Sequence, residues 1–276
     1  KIPEYEYRVT RGEEVQEFSD PYAFAGQITE AEEKAFCAGV YYHAYEKLGA
    51  HPMEINGVKG TSFAVWAPNA VRVSVVGNFN EWDGRRHAMH RMPMSGIFEL
   101  FIPGVKVGDI YKYELKLKGN RIELKSDPYA ACTEVPPAGA SVVADTGAFQ
   151  WEDEEWMAGR KKFADRKQPV SIYETSLTDW KDGEELVEFV KKLNYTHVEL
   201  HPVMEYLDDE AGEYSTFAYY APTRRFGMPQ DFQKTVNELH KAGIGLILDW
   251  TPSHFPRVEG GLELFDGTPL YENPDP

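Results

Sequence analysis

The sequence contains little cysteine and no long apolar run. Only Cys37 and Cys132 occur among its 276 residues, which excludes a disulfide framework and does not match the spacing of metal ligands. No stretch approaches the roughly 20 apolar residues of a membrane-spanning helix, and residues 1–30 lack the charged-then-apolar pattern of a signal peptide. We therefore expect a cytoplasmic protein without a metal site. Its Gly-rich stretches lack the spacing of phosphate-binding loops, so we also expect no cofactor.

Basic residues are scarce relative to acidic ones. The 45 Asp and Glu residues against 29 Lys and Arg residues give a formal net charge of −16. Nucleic acids and anionic membranes are bound through clustered Lys and Arg, so neither is an expected partner. Trp, Tyr and Phe make up 13% of the chain, and their flat rings suit packing against sugar rings. The composition favours a neutral, hydroxyl-rich ligand.

Residues 56–146 have the pattern of a small antiparallel β-sandwich. Apolar residues alternate with polar ones in short runs such as 71–75 and 111–117, which is the two-residue period of half-buried strands. Clusters of turn-forming residues separate the runs at regular intervals. The preceding residues, 1–55, are predicted to form a helical lead-in, because apolar residues recur at helical spacing between positions 29 and 48.

A parallel sheet is predicted for residues 169–276, after a charged linker at residues 147–168. The pattern alternates strands with helices, which is typical of parallel β/α folds. The predicted elements are strands at 170–173, 196–200 and 244–248 and helices at 184–193 and 229–242. A complete (β/α)8 barrel needs eight such strands and about 250 residues. We therefore expect the N-terminal part of a truncated barrel, with more chain following in the natural protein.

Polar residues follow the last of these predicted strands. Asp249 leaves the strand, and His254 lies five positions later in a Pro-containing loop. In β/α barrels functional groups collect at the carboxyl ends of strands, where an acceptor and a donor suit the hydroxyl groups of a sugar. The alternative is structural, because an acid at a strand end often caps the next helix and a loop His is usually a surface residue.

Residues 245–256 (GLILDWTPSHFP) and 265–272 (FDGTPLYE) resemble the first signature region of the α-amylase superfamily in its branching-enzyme form. Residues 219–227 (YYAPTRRFG) resemble the segment before the second barrel helix of these enzymes, and PVSIYE at 169–174 resembles their first strand. The resemblance covers essentially all of 169–276. It implies that Asp249 and His254 help to shape the pocket for the sugar ring being cleaved, and that Tyr214 stacks on that ring.

The predicted sandwich carries further motifs in the order found in the same family. The segments FAVWAPNA at 63–70, VVGNFNEWDG at 75–84 and YKYE at 111–114 resemble the glucan-binding module that precedes branching-enzyme barrels. The resemblance implies that Trp82 packs on a glucose ring and that Lys112 bonds a hydroxyl group. Two structural alternatives remain: Trp82 can instead shield the sandwich, and Lys112 can lie on a solvated strand face.

By resemblance, the complete enzyme cleaves an α-1,4-glucan, such as glycogen or starch, and transfers the cut segment to a 6-hydroxyl group. The expected partner is thus an α-glucan polysaccharide. Retention of configuration requires a carboxylate nucleophile and a carboxylic acid/base about 5 Å apart. In this family both come from later barrel strands, and no Asp or Glu here matches their motifs. We therefore assign no catalytic residue to this chain and predict that it is inactive alone.

Residues 209–217 depart from the family pattern. Branching enzymes usually have Asp-Gly-Ser-Trp-Gly-Tyr-Gln here, whereas this chain reads DEAGEYSTF, in which the Tyr is Tyr214. This departure supports one alternative, a non-catalytic or degenerate α-glucan-binding protein. A debranching or trehalose-releasing relative is the other alternative, although such enzymes do not usually show the FDGTPLYE stretch.

Overall fold

The computed structural model describes residues 5–12, 14–162, 168–252 and 255–274. The chain forms two compact units. The sandwich unit comprises Lys1–Ala131, Gly139–Asp145 and Arg257–Pro276, and the barrel unit comprises Cys132–Ala138 and Thr146–Pro256. The predicted fold class, an antiparallel β-sandwich followed by the first βα units of a (β/α)8 barrel, is confirmed.

The sandwich consists of two antiparallel sheets. The first has the strand order β3-β4-β7-β6, and in the second β8 pairs with β5, β9 and β10. The strands of the first sheet are β3 (Gly49–Ile55), β4 (Val58–Trp66), β6 (His90–Arg91) and β7 (Ile97–Pro103). Those of the second are β5 (Arg72–Gly77), β8 (Ile110–Lys116), β9 (Ile122–Lys125) and β10 (Ser141–Val142).

The alternation seen in the sequence produces the sandwich core. Side chains such as Val73, Val75, Tyr111 and Tyr113 are fully buried between the two sheets. Phe265 belongs to the same core and is fully buried, which explains why residues 257–276 are part of the sandwich unit, although their sequence pattern assigns them to the barrel. The boundaries predicted at residues 55, 146 and 168 stay predictions.

The lead-in contains less helix than the sequence pattern predicts. A hairpin of β1 (Glu6–Arg11) and β2 (Glu14–Ser19) comes first, and α1 (Glu30–Cys37) begins at a capping box formed by Thr29 and Glu32. The helix ends after eight residues because Gly39 takes a left-handed conformation with φ +71°.

In its described residues, the barrel unit contains three parallel strands in the order β11-β12-β15. These are β11 (Ile172–Thr175), β12 (His197–Leu200) and β15 (Gly245–Leu248). A short antiparallel pair, β13 (Met204–Tyr206) and β14 (Thr216–Pro222), lies between β12 and β15 in the chain. The helices are α2 (Glu154–Gly159), α3 (Gly183–Lys192) and α4 (Pro229–Lys241).

The apolar faces of α3 and α4 cover this sheet. Leu186 and Val190 of α3 and Leu239 of α4 are fully buried in one cluster with Val198 and Leu200 of β12. This packing fixes the register in which the carboxyl ends of the three strands lie side by side, with Thr175 opposite Leu200 and Leu200 opposite Leu248.

Candidate functional site

Trp82 lies in the sandwich unit in a turn that follows β5. Its side chain is 41% exposed, so it is not a core residue. Glu81 and Trp82 both take left-handed backbone conformations, with φ +58° and +59°. Such conformations cost non-glycine residues roughly 1 kcal/mol or more each and persist only where the surroundings hold them. The fold therefore maintains an unfavourable backbone conformation that leaves a large aromatic ring in solvent.

Hydrogen bonds of the Asn80 side chain hold this turn. Its side chain is almost fully buried; Oδ1 accepts from the N–H of Gly77 at 2.9 Å, and Nδ2 donates to the carbonyl of Val75 at 2.9 Å. The same Nδ2 lies 2.8 Å from Nδ1 of His87. The N–H of Trp82 donates to the carbonyl of Gly77 at 3.0 Å. Local hydrogen bonds thus fix the backbone of the turn that carries Trp82.

The Trp82 ring borders an open cleft of about 700 Å³ within the sandwich unit. The hydrophobic side chains of Ile122, Leu124 and Leu264 line it and are each about half exposed. Its polar lining includes the carboxylates of Glu114, Glu123 and Glu263 and the side chain of Lys125. Flat apolar surface combined with hydrogen-bonding groups is the usual composition of a small-molecule or sugar site.

Lys112 lies near the same cleft. It sits on β8 opposite Val76 of β5, with a half-buried side chain. A Cβ atom placed on Gly260, which lines the cleft, would come within 4.0 Å of Lys112 Nζ. The ammonium group of Lys112 therefore lies close to Gly260, at the edge of the cleft that Trp82 borders.

In the barrel unit, polar residues directly follow all three parallel strands. Ser176, His201 and Asp249 each come one residue after the ends of β11, β12 and β15. The backbone ladder continues through two of them, because the N–H groups of His201 and Asp249 donate to the carbonyls of Thr175 and Leu200. The three side chains therefore start from one edge of the sheet, the edge where β/α barrels place functional groups.

Tyr214 contacts Asp249 at this edge. Its hydroxyl donates to Asp249 Oδ2 at 2.7 Å, while its ring remains 47% exposed. This hydrogen bond to the carboxylate is the main reason why the pKa of Tyr214 is raised to about 12. An exposed aromatic ring whose hydroxyl is held by a carboxylate can stack on a sugar ring.

Glu213, the residue before Tyr214, contacts the residues that follow β11 and β12. Oε1 of Glu213 accepts a hydrogen bond from the hydroxyl of Ser176, and Oε2 lies 3.2 Å from Nδ1 of His201. The second ring nitrogen of His201, Nε2, lies 3.3 Å from Oε1 of Glu174. Polar groups from three separate segments, at the ends of β11 and β12 and in the loop that carries Glu213, thus meet beside Tyr214.

A buried ion pair lies at Glu205, where the segment from Glu205 to Tyr214 begins. Glu205 of β13 is fully buried and pairs with the guanidinium of Arg225. Burial raises the pKa of Glu205. Nε of Arg225 also donates to Asp209 Oδ1 at 2.8 Å, and its guanidinium stacks over the Tyr206 ring at 3.9 Å.

The structure brings the site residues predicted from sequence into two places. Trp82 and Lys112 lie at the cleft of the sandwich unit, and Tyr214 and Asp249 touch in the barrel unit. His254 lies outside the described residues. The sequence reasoning missed Ser176 and His201, although the strand-end rule that selected Asp249 applies equally to both.

Other classes of site find no support in the part of the chain that the structure describes. No group of three His, Cys, Asp or Glu residues among residues 5–12, 14–162, 168–252 and 255–274 is arranged to hold a metal ion. Within the same ranges, no helix combines the length and the apolar composition needed to cross a membrane. Neither Cys37 nor Cys132 forms a disulfide.

Comparison with known proteins first identifies the class of the sandwich. Residues 47–130 match the family model of carbohydrate-binding module 48, the isoamylase N-terminal domain. A solved structure, the pullulanase from Bacillus acidopullulyticus, matches 77% of this chain and 30% of its own with a TM-score of 0.60. At 20% sequence identity this second likeness concerns the fold alone.

Curated relatives then identify the particular enzymes that the chain is similar to. It is 46% identical over 93% of its length to the 1,4-alpha-glucan branching enzyme GlgB of Cellvibrio japonicus. It is 47% identical over its whole length to the enzyme of the same name from Cereibacter sphaeroides. The resemblance to branching enzymes that the motifs indicate is therefore confirmed, and the chain spans only 37% and 39% of the length of these two relatives.

Proposed function

We propose that this chain is the glucan-binding and pocket-forming segment of a 1,4-α-glucan branching enzyme. The main support for this proposal is that the chain is 46–47% identical to branching enzymes over 93–100% of its length. The proposed reaction of the whole protein is transfer of a segment from an α-1,4 to an α-1,6 linkage in a polymer such as glycogen. In that reaction this segment binds and orients the polymer, and the catalytic carboxylates come from elsewhere in the protein.

The sandwich unit is the proposed site for holding the polymer. Trp82 offers an exposed ring on which a glucose residue can stack. Lys112 and the carboxylates of the cleft can bond the hydroxyl groups around that ring. The left-handed conformations of Glu81 and Trp82 support this role, because unfavourable backbone conformations cluster at ligand sites.

The barrel unit contributes one part of the proposed pocket for the ring being cleaved. Tyr214 and Asp249, already joined by a hydrogen bond, present an aromatic face and carboxylate oxygens to that ring. His254 is proposed as a third member by its position in the motif. The proposed partner is an α-glucan rather than a nucleic acid or membrane, and the proposed compartment is the cytoplasm, which the two free cysteines support.

Retardation of this chain in native gels that contain glycogen tests the binding role. Trp82→Ala should abolish most of the retardation, because it removes the stacking surface. The matched control is Trp151→Ala, since Trp151 is equally exposed, at 42% against 41% for Trp82, but lies in the barrel unit. Amylose stained with iodine in parallel reports any branching by the chain alone.

The outcomes separate the parts of the proposal. Loss of retardation in Trp82→Ala, but not in Trp151→Ala, together with unchanged iodine colour, is the expected result. Equal retardation of all three proteins would contradict the role of Trp82. A change in iodine colour would contradict the view that the catalytic groups lie outside this chain.

A second candidate is a glucan-binding protein without catalytic activity. The departure of residues 209–217 from the family pattern favours it. An assay of the longer protein that contains this chain distinguishes the candidates. New α-1,6 branch points indicate a branching enzyme, new reducing ends indicate a hydrolysing relative, and glucan binding with neither product indicates the non-catalytic protein.

A further inference from the structure

The segment that departs from the family pattern makes its own set of contacts. Glu213 is part of it, and its side chain is only 18% exposed. It reaches the hydroxyl of Ser176 with one oxygen and the imidazole of His201 with the other. These two partners lie 37 and 12 positions earlier in the chain, so the contact joins parts of the barrel unit that local sequence does not connect.

The two partners of Glu213 are placed by the rigid part of the unit. Ser176 directly follows β11, and His201 directly follows β12. The two strands pair in register up to Thr175 and Leu200, whose side chains are buried. Ser176 is itself buried, and its side chain also accepts from the N–H of Thr178. Glu213 is thus fastened to two points that cannot move apart without disrupting the sheet.

We propose that Glu213, held by Ser176 and His201, is a positioning residue that fixes Tyr214 against Asp249. Tyr214 is the next residue in the chain, so fixing the side chain of Glu213 restricts where the Tyr214 backbone can lie. The Tyr214 hydroxyl then meets the carboxylate of Asp249, which directly follows β15. All three strand ends thereby define the position of one aromatic ring.

His201 can act as the central link of this arrangement. Its two ring nitrogens face two carboxylates, Glu213 on one side and Glu174 on the other. A ring N–H of the imidazole can donate to the carboxylate that it faces. Its ring also lies near the ring of Tyr214, with centroids 6.4 Å apart. His201 thus restrains Glu213 directly and borders the residue that Glu213 positions.

The inference rests on the proposed function only where it assigns Tyr214 and Asp249 to the substrate pocket. Glu213, Ser176 and His201 are then the residues that set the geometry of this pocket. A sugar ring would meet an aromatic face that is already oriented, so less conformational entropy is lost on binding. The contacts themselves need no sugar, and they can be tested without one.

The test measures the ionisation of Tyr214 in the double variant Ser176→Ala/His201→Leu. The chain is labelled with tyrosine carrying ¹³C at Cζ, and the Tyr214 signal is identified by its loss in Tyr214→Phe. The double variant keeps the charge of Glu213 but removes both of its anchors. Neither substitution removes a carboxylate, so a fall in the pKa of Tyr214 reports the loss of its hydrogen bond to Asp249 rather than a loss of nearby negative charge.

We expect Tyr214 to be about 3% ionised at about pH 10.5 in the parent chain, where its pKa is about 12. In the double variant its pKa should fall towards the ordinary value near 10, at which roughly three quarters would be ionised. The retained charges of Glu213 and Glu174 keep the expected ionisation below that limit but well above that of the parent. The matched control is Glu210→Gln, which removes a charge from an exposed residue of the same loop and should leave Tyr214 largely neutral. Circular dichroism at the same pH shows whether each protein is folded.

A folded double variant in which Tyr214 stays neutral would overturn the inference. If the double variant does not fold, Ser176→Ala alone provides the test. It should give intermediate ionisation, and ionisation equal to that of the parent would overturn the inference in the same way. Because no glucan is present, a failure here is distinguishable from a failure of glucan binding at Trp82.

Discussion

Trp82 in the sandwich unit and Tyr214 in the barrel unit are both about half exposed, at 41% and 47%, but different interactions hold them. Trp82 is positioned by its own backbone and by Asn80, two residues away. Tyr214 is positioned by side chains that come from strand ends far apart in the sequence. The position of Trp82 therefore depends only on its own turn, whereas the position of Tyr214 depends on the packing of the whole barrel unit.

The two units also differ in the kind of partner that each gives to a buried carboxylate. Asp127 in the sandwich unit accepts hydrogen bonds from the hydroxyls of Tyr111 and Tyr113, at 2.6 and 3.1 Å. Glu205 in the barrel unit pairs with the guanidinium of Arg225. Neutral donors compensate burial only in part, and burial raises the pKa of Asp127 to about 6. Because only Glu205 has a cationic partner, the two sites should respond differently to mutation of their partners.

The largest expected effect concerns the ion pair of the barrel unit. Arg225→Ala leaves the carboxylate of Glu205 buried without its cation, which costs about 4 kcal/mol of unfolding free energy. Urea unfolding followed by the methyl signal of Val198 measures this loss. The double variant Glu205→Gln/Arg225→Ala should recover part of it, because no charge then remains buried. Equal stability of Arg225→Ala and the parent would show that the pair contributes nothing net.

The second expected effect is a pH dependence of the stability of the sandwich unit. The pKa of Asp127 is raised from 3.8 to about 6 in the folded chain, so its contribution to stability is fully present below about pH 4 and is lost as the pH rises through 6. This difference corresponds to about 3 kcal/mol at about 1.4 kcal/mol per pH unit. The stability of the parent relative to Asp127→Asn, followed by the methyl signal of Leu115, should therefore fall between pH 4 and 6.5. Parallel profiles would contradict the assignment to Asp127.

The same comparison explains which parts could be predicted from sequence. Alternation of apolar and polar residues is a local property, so the strands around Val73 and Tyr113 could be predicted from it. The turn that presents Trp82 is also local, because Asn80 and Trp82 belong to one short motif. Asp249 could be selected because a carboxylate follows a strand, which again is visible within a few residues.

Contacts between distant segments could not be predicted in this way. Glu213 meets Ser176 and His201 only because β11 and β12 pair in register, and no spacing in the sequence encodes that meeting. The burial of Phe265 in the sandwich core is likewise invisible in a pattern read along the chain. The roles of Tyr214 and Lys112 came from the resemblance, and they stay predictions until binding is measured.

A smaller effect is expected at the local support of Trp82. Asn80→Ala removes the acceptor for the N–H of Gly77 and the donor for the carbonyl of Val75, which costs about 2 kcal/mol because both backbone groups are left without these partners. Urea unfolding followed by the Val75 methyl signal measures the change, and glycogen retardation should weaken together with it. The matched control is the exposed Asn78, whose replacement by Ala should cost less. A larger loss in Asn78→Ala would contradict the role of Asn80.

The smallest expected effect separates backbone strain from binding at the same turn. Glu81 has φ +58°, a conformation that glycine adopts without steric cost. Glu81→Gly should therefore be more stable than Glu81→Ala by about 1 kcal/mol, since both variants lack the carboxylate and differ mainly in backbone freedom. Urea unfolding followed by the Val75 methyl signal compares the two variants. If glycogen retardation is the same in both, the left-handed backbone serves only to place the Trp82 ring; weaker retardation in the glycine variant would mean that the restricted backbone itself preorganises the site.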